Sequence, residues 1–371
     1  SFTFGYEFLK VDDPTLNRNS VELGGRVGIT FPTFLFPIDL DPASSLHAPQ
    51  TRVEFSINDQ NRRYYHRVLS NLTFGYNWSD RDGNYYSIRP FDISLVKMNY
   101  VSQDFLDRLQ NPYLKDSYTT QMMAGLSGSF VFGPQNITEL RNYHNLRLNF
   151  ATSGNLLSGI NSLFGATKTN DHYTMFGIPY AQYVRADVSW AESIALGDDS
   201  SLAYRLYGGL IYPYGNSRML PFEKRYYAGG ANGVRGWAVR GLGPGRYQAK
   251  DGTIDYINQS GDIKLDLSLE YRMHMFWKLD GALFVDAGNI WTMYDYDDQA
   301  GGMFMWNEFY KQIAVSYGLG VRLDLNFLVL RLDAAMKAVN PMYTEGPLRY
   351  PIAHPRFGRD FAWHFAVGYP F

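Results

Sequence analysis

From Ile263 to Met275 apolar and polar residues alternate without a break. The odd positions are Ile263, Leu265, Leu267, Leu269, Tyr271, Met273 and Met275; the even ones are Lys264, Asp266, Ser268, Glu270, Arg272 and His274. Successive side chains of a strand point to opposite faces, so this segment presents one apolar and one polar face. The pattern returns from Ile313 to Leu325, where Ala314, Ser316, Gly318, Gly320, Arg322 and Asp324 oppose an apolar odd set. It returns again from Phe327 to Lys337, with Arg331 and Asp333 opposing Leu328, Leu330 and Leu332. The last segment carries Phe361, Trp363, Phe365, Val367, Tyr369 and Phe371 on its apolar side.

Earlier segments alternate less cleanly but keep strand composition. They are Phe2–Leu9, Val21–Phe31, Arg52–Asn58, Tyr65–Trp78, Tyr86–Tyr100, Tyr118–Phe132, Asn145–Thr152, Tyr180–Ile194 and Ser201–Tyr212. With the segments nearer the C-terminus they predict roughly fourteen strands. The connections between them alternate in length. Short ones fall at Ser79–Asn84, Gly197–Ser200, Phe276–Lys278 and Asn326; long ones at Ser153–Pro179, Pro213–Gly261, Thr292–Tyr310 and Ala338–Asp360. Alternating short and long connections mark an outer-membrane barrel, with the short ones and the C-terminus on the periplasmic side. The long Phe31–Gln50 connection breaks this rule, which points to a misassigned strand nearby. Asp104–Lys115 is the only helix-like patch.

Composition narrows the class. Aromatic residues make up 16% of the chain, with 29 tyrosines and 25 phenylalanines, while charged residues make up 19%. Mean hydropathy is −0.29, and no run approaches the length of a membrane-spanning apolar helix. Tyrosine-rich alternation without a helical span describes a transmembrane barrel better than a soluble sandwich, because the polar faces mix charges with glycines as a lumen does. Charges balance at 34 basic against 36 acidic residues, which leaves no electrostatic footprint for nucleic acid. The chain has no cysteine, so disulfides, thiol nucleophiles and zinc–thiolate sites are excluded. Its first residues show no charged n-region followed by an apolar h-region, so a barrel domain trimmed from a longer protein is expected.

The candidate chemistry lies in the glycine-dense stretch Arg225–Gly245, RYYAGGANGVRGWAVRGLGPG. Glycine loses the most backbone entropy on ordering, so such a loop is either disordered or folded tightly against something. Glu270 lies on the polar face of its strand, and Asp286 lies opposite Leu279, Leu283 and Val285. A short turn near Trp277–Lys278 puts Glu270 almost directly across from Asp286. Carboxylates that close destabilise one another unless they share a proton or a cation. Arg235 is the expected cation, because its guanidinium forks across two carboxylates. The alternative is that both acids are simply solvated. A hydrolytic acid pair lacks any nearby nucleophile, histidine base or oxyanion turn. Asp295, Asp297 and Asp298 lack the spacing of a calcium loop, and Gly241–Gly245 reads as turn chemistry. Trp190, Trp237 and Trp291 are candidates for interfacial girdles.

GGANGVRGW, the strand carrying Glu270, FVDAGNIW and the terminal HFAVGYPF, in that order, resemble the BamA/TamA superfamily of outer-membrane β-barrel assembly proteins, of the bacterial surface antigen type. The resemblance covers the last 150 or so residues strongly. SGDIKLDLSLEYR and FWKLDGALFVDAGNIW are most similar to the TamA-like lipoprotein branch, TamL, of Bacteroidetes. Gly233 stands where serine is common in the family, and Trp237 where phenylalanine or tyrosine is usual.

The resemblance implies an all-β transmembrane antiparallel barrel of roughly sixteen strands, the first two missing here. Residues 1–371 would form a single barrel domain, with 213–261 the loop folded into the lumen and the upstream periplasmic domains absent. It further implies that Arg235 is held by Glu270 and Asp286 within a loop motif of Gly229, Gly230, Val234, Gly236 and Trp237. A C-terminal targeting strand and seam would comprise Phe365, Val367, Gly368, Tyr369 and Phe371. The implied role is non-enzymatic and needs no cofactor or metal. It is the insertion or export of outer-membrane or surface proteins through a lateral strand edge. Partners would be outer-membrane lipids, unfolded client proteins and a TamB-like protein or assembly lipoproteins. The alternatives are a two-partner-type secretion pore and a passive porin or anchor barrel.

Overall fold

A computed structural model describes residues 2–7, 20–35, 47–62, 64–108, 115, 118–133, 142–164, 168, 172–221, 224–249, 258–325 and 327–370. Its strands are β1 Phe2–Glu7, β2 Ser20–Phe31, β3 His47–Asn61, β4 Tyr65–Ser79, β5 Tyr85–Val101, β6 Gln121–Phe132, β7 Tyr143–Ser153, β8 Thr174–Met175 and β9 Ile178–Pro179. There follow β10 Tyr183–Ala195, β11 Ser200–Pro213, β12 Ile263–Phe276, β13 Leu279–Trp291, β14 Ala314–Asp324, β15 Val329–Val339 and β16 Phe361–Val367. Fourteen of them form one sheet in chain order, and β8 and β9 form a separate two-stranded hairpin. The helices are α1 Gln103–Arg108, α2 Asn155–Leu163 and α3 Phe357–Asp360.

The chain divides into two compact units. One comprises Ser1–Phe130, Asn149–Arg185 and Tyr212–Pro221; the other comprises Val131–Leu148, Ala186–Ile211 and Phe222–Phe371.

In the first unit β2 to β5 pair antiparallel with long registers. Leu23, Val27, Ile29, Phe55, Ile57 and Phe91 lie exposed on their apolar faces. Exposed large apolar side chains in a row, on strands whose other face is polar, are the mark of a lipid-facing wall. The long connection after Phe31 is genuine, because β2 and β3 pair from Val21↔Asn61 to Phe31↔Thr51. Its described part is pinned to β3 by Thr51, whose hydroxyl accepts from Leu35 N and donates to Thr33 O, both at 2.8 Å. The expectation of a misassigned strand there is therefore corrected. The helix-like patch at Asp104–Lys115 is α1 in its first part, and α2 was not foreseen.

The second unit carries the cleanest alternation. Leu267, Leu269, Leu283, Val285, Leu319, Leu332, Trp363 and Phe365 are exposed, while Ser268, Glu270, Asp286, Ser316, Arg322 and Asp333 are buried. A strand pair in water does the reverse, so what covers the polar face decides the fold of this unit. Trp190 is exposed as a girdle residue would be, but Trp237 and Trp291 are buried. Trp291 donates from its indole to Gln312 Oε1 at 2.6 Å, which removes both from the expected girdle.

Candidate functional site

The polar face of the second unit is covered by the glycine-dense connection between β11 and β12. Its two ends are fixed first. Arg225 pairs with Asp262 at 3.1 Å, both buried, and Tyr226 and Gly261 exchange backbone hydrogen bonds at 2.9 Å. The chain then makes a tight double-back. Gly230 N donates to Trp237 O at 2.9 Å, and Gly233 N donates to Gly230 O at 3.1 Å. Gly229 is the position where glycine is required, with φ of 91° and room for no Cβ, since one would lie 2.3 Å from Ala238 O. No L side chain fits that backbone without strain. Further along, Gly245 N donates to Ile290 O at 2.7 Å, and Asn289 Nδ2 donates to Gly245 O at 2.9 Å. Gly241–Gly245 is thus turn chemistry locked to β13.

Arg235 sits at the tip of this double-back and is 1% exposed. Its guanidinium makes a fork to Asp286, with Nε to Oδ2 and one terminal nitrogen to Oδ1, each at 2.8 Å. The other terminal nitrogen donates to Glu270 Oε2 at 2.9 Å and reaches Asp333 at 3.3 Å. Its backbone N–H also donates to Asp286, at 3.1 Å. Its carbonyl lies 2.7 Å from His364 Nε2. A carbonyl only accepts, so that imidazole carries its proton on Nε2. Val234, Gly236 and Trp237 surround the arginine, with Val234 and Trp237 buried. A Cβ on Gly236 would stand 2.6 Å from Ser316 Cβ.

The two acids do not face each other directly. Glu270 pairs with Phe284, and Asp286 pairs with Ser268. The turn through Trp277, at φ 54°, sets the first part of this offset, and a bulge between His274 and Phe276 adds one position. An extra residue on one strand of a pair shifts every partner beyond it. The acids become diagonal neighbours, and the residue between them is an aromatic ring. Phe284 lies beneath the Arg235 guanidinium at 3.4 Å from the ring centroid, so the cation is held by charge at its edge and by a π face below. Gly318, opposite Phe284, leaves the space this ring occupies, since a Cβ there would be 2.4 Å from the ring.

The sequence reading anticipated three members of the cluster, and the structure adds others. Arg322 bonds Asp333 at 2.6 Å and Glu270 at 3.0 Å. Arg331 pairs with Asp333 at 3.4 Å and donates to Ala231 O at 2.9 Å and Asn232 Oδ1 at 2.6 Å in the loop. Arg272 donates to Glu270 Oε1 at 2.9 Å. The signal for Arg322, Arg331 and Asp333 was already present, since alternation put each on the polar face. Nothing in their spacing distinguished a shared cluster from separate solvated charges. Each buried charge here is paired, which is the condition for its burial.

The C-terminal residues fall in two places. Phe365 and Val367 are exposed, 69% and 66%, on the outward row of β16. That strand ends at Val367, because Gly368 takes φ of 84° while its N–H donates to Val329 O at 2.7 Å. Tyr369 therefore leaves the outward row and receives the Arg272 guanidinium over its ring at 4.6 Å. Phe371 lies outside the described residues.

Comparison with known proteins gives the family of the chain. The model of the Omp85 superfamily domain matches residues 9–371. Over 156 residues, 40% of this chain and 18% of the relative, the sequence is 29% identical to the outer membrane protein assembly factor BamA of Neisseria meningitidis serogroup B. The crystal structure of BamA from Haemophilus ducreyi lacking POTRA domains 1–3 superposes with a TM-score of 0.61 at 14% identity, over 95% of this chain and 63% of that one. CdiB from Escherichia coli gives a TM-score of 0.48 at 14% identity, over 95% of this chain and 56% of that one. The chain thus spans less than two thirds of the relatives it matches. It has the fold of an integral outer-membrane β-barrel, and it belongs to the Omp85 superfamily.

Proposed function

We propose that this chain is the membrane barrel of an assembly or translocation module that inserts or exports outer-membrane or surface proteins without covalent catalysis. The observation that carries this reading is the Arg235 clamp. A polar face filled by the protein's own loop, and held by buried ion pairs, is not built for free diffusion along it. The working surface is then the strand edge. Unpaired backbone groups there template a client strand, and an open edge inside a bilayer is costly enough to favour pairing.

The clients are unfolded proteins arriving from the periplasmic side, where the short connections and the C-terminus lie. Outer-membrane lipids surround the barrel. A periplasm-spanning TamB-like protein or assembly lipoproteins complete the module. SGDIKLDLSLEYR supports placement in the TamA-like lipoprotein branch, TamL, of Bacteroidetes.

Reconstitution tests the reading. Full-length protein in phospholipid vesicles should speed the folding of a urea-unfolded outer-membrane protein by about tenfold or more over empty vesicles, followed by heat-modifiable migration. No acceleration, together with a large stable conductance in planar bilayers, would overturn it in favour of a pore.

A further inference from the structure

The connection from β7 to β10 builds a surface that the assembly reading leaves unused. Its helix α2, NLLSGINSL, contains no charged side chain, and it buries an asparagine while leaving two leucines exposed. The residue it buries is Asn161, whose Nδ2 donates to the Tyr180 hydroxyl at 3.2 Å. Asn155 Oδ1 accepts from Gln182 Nε2 at 3.2 Å and from the Tyr214 hydroxyl. Leu156, Ile160 and Leu163 follow the i, i+4, i+7 spacing of one helix face. Leu156 is 69% and Leu163 85% exposed, Phe164 just beyond is 83% exposed, and Ile160 between them is half-buried. A helix on a water-facing surface turns its leucines in and its asparagines out.

A second element of the same connection does likewise. The β8–β9 hairpin turns through Phe176 and Gly177, at φ of 53° and 76°, and Phe176 is 91% exposed. A bulky residue at positive φ is a strained choice for a turn, so this tip presents an aromatic ring at a cost. The hairpin is moored beside its base by Asn216, which accepts from Tyr173 N at 2.7 Å and donates to Tyr173 O at 2.9 Å.

The location of α2 is fixed by its polar anchor. Tyr214, bonded to Asn155, stacks on Tyr212 with ring centroids 5.9 Å apart. Tyr212 closes the outward row of β11, after the exposed Leu206 and Leu210. Tyrosine at the end of a lipid-facing row belongs to the aromatic belt at the membrane–water boundary. The first turn of α2 is therefore tied, through Tyr214, to a half-exposed tyrosine of that kind.

We infer that α2 and the Phe176 tip form a lipid anchor. The stripe of Leu156, Ile160 and Leu163 lies in the headgroup–acyl boundary of the leaflet on this side, with the helix axis in the membrane plane. The protein supplies the helix's polar partners, so its sequence needs no charged face. This inference rests on the barrel fold and stands whether or not the chain assembles other proteins.

These 371 residues contain no cysteine, so an introduced one is their single labelling site. Leu163→Cys and Ser162→Cys are made separately in this 371-residue chain, labelled with nitrobenzoxadiazole, and reconstituted in phosphatidylethanolamine–phosphatidylglycerol vesicles. Both sites are exposed, and heat-modifiable migration confirms folding. The label at 163 should be blue-shifted, and quenched by shallow spin-labelled lipid about threefold or more than the label at 162, with iodide showing the opposite order. Equal iodide quenching at the two sites would overturn the anchor. Protection at 163 in native outer-membrane vesicles but not in pure lipid would also overturn it, and would assign this face to a protein.

Discussion

The polar faces of the two units are satisfied by different chemistry. In the first, Asn71 of β4 donates to Ser56 of β3 at 3.2 Å and accepts from Ser94 of β5 at 2.7 Å. Ser127 of β6 likewise donates to Asp92 of β5 at 2.9 Å. These bonds run from strand to strand and close without help. In the second unit Glu270, Asp286, Asp333, Arg235, Arg322 and Arg331 are all at most 1% exposed. Among the described residues, each hydrogen bond to the Asp286 carboxylate comes from Arg235. The wall of the second unit therefore carries a buried charge that only the loop satisfies. A ladder of part-buried groups tolerates water, whereas an unpaired buried carboxylate does not. The loop is thus part of the wall's folded state and not an accessory laid upon it.

The largest test of this contrast is Arg235→Ala. It strands Asp286 and should cost about 3–5 kcal/mol, the usual penalty for breaking a buried ion pair from one side. Thermal unfolding by heat-modifiable migration and proteolysis of residues 225–249 would register it, and unchanged values for both would erase the difference between the units. Gly236→Ala keeps every charge and disturbs only the fit. Its Cβ would be 2.6 Å from Ser316 Cβ, and overpacking of this kind costs about 1–3 kcal/mol. A loss as large as that of Arg235→Ala would mean that packing rather than charge holds the loop. Asn71→Ala, in the first unit, should cost about 1 kcal/mol, the net worth of its hydrogen bonds. Proteolysis of the loop should be unchanged, and heightened cleavage there would show that the two polar faces are not independent.

Much of this was legible in the chain. Strands β12 to β16 were readable because each has one face of leucine and aromatic residues and one of charges and glycine, a period that survives without tertiary information. Arg235, Glu270 and Asp286 were readable because alternation assigns a face and a short turn assigns a partner. The register was not, since a single bulged residue near Met275 has no reliable signature and shifts the ladder by one position. Phe284 escaped notice for the opposite reason. It is a large aromatic on a polar face, where it serves as the floor beneath a guanidinium. Helix α2 was hidden because Leu156 and Leu163 are exposed and its buried residue is Asn161, so the usual rule for locating a helix face misleads. Tyr369 kept the period of its strand in sequence and lost it in space, because Gly368 turns the backbone.

The glycines of β14 have a consequence for exchanging parts between such proteins. Gly318 leaves the space that the Phe284 ring fills, and Gly320 leaves that filled by Arg322 and Asp333, whose atoms would lie 2.2 and 2.1 Å from a Cβ there. The socket for the loop is thus carved out of the sheet by omitted side chains as much as by those present. Transplanting residues 225–249 onto a relative's barrel would fail unless these omissions travelled with them. Loop and wall are fitted to one another as one unit, although nearly a hundred positions separate Arg235 from Asp333.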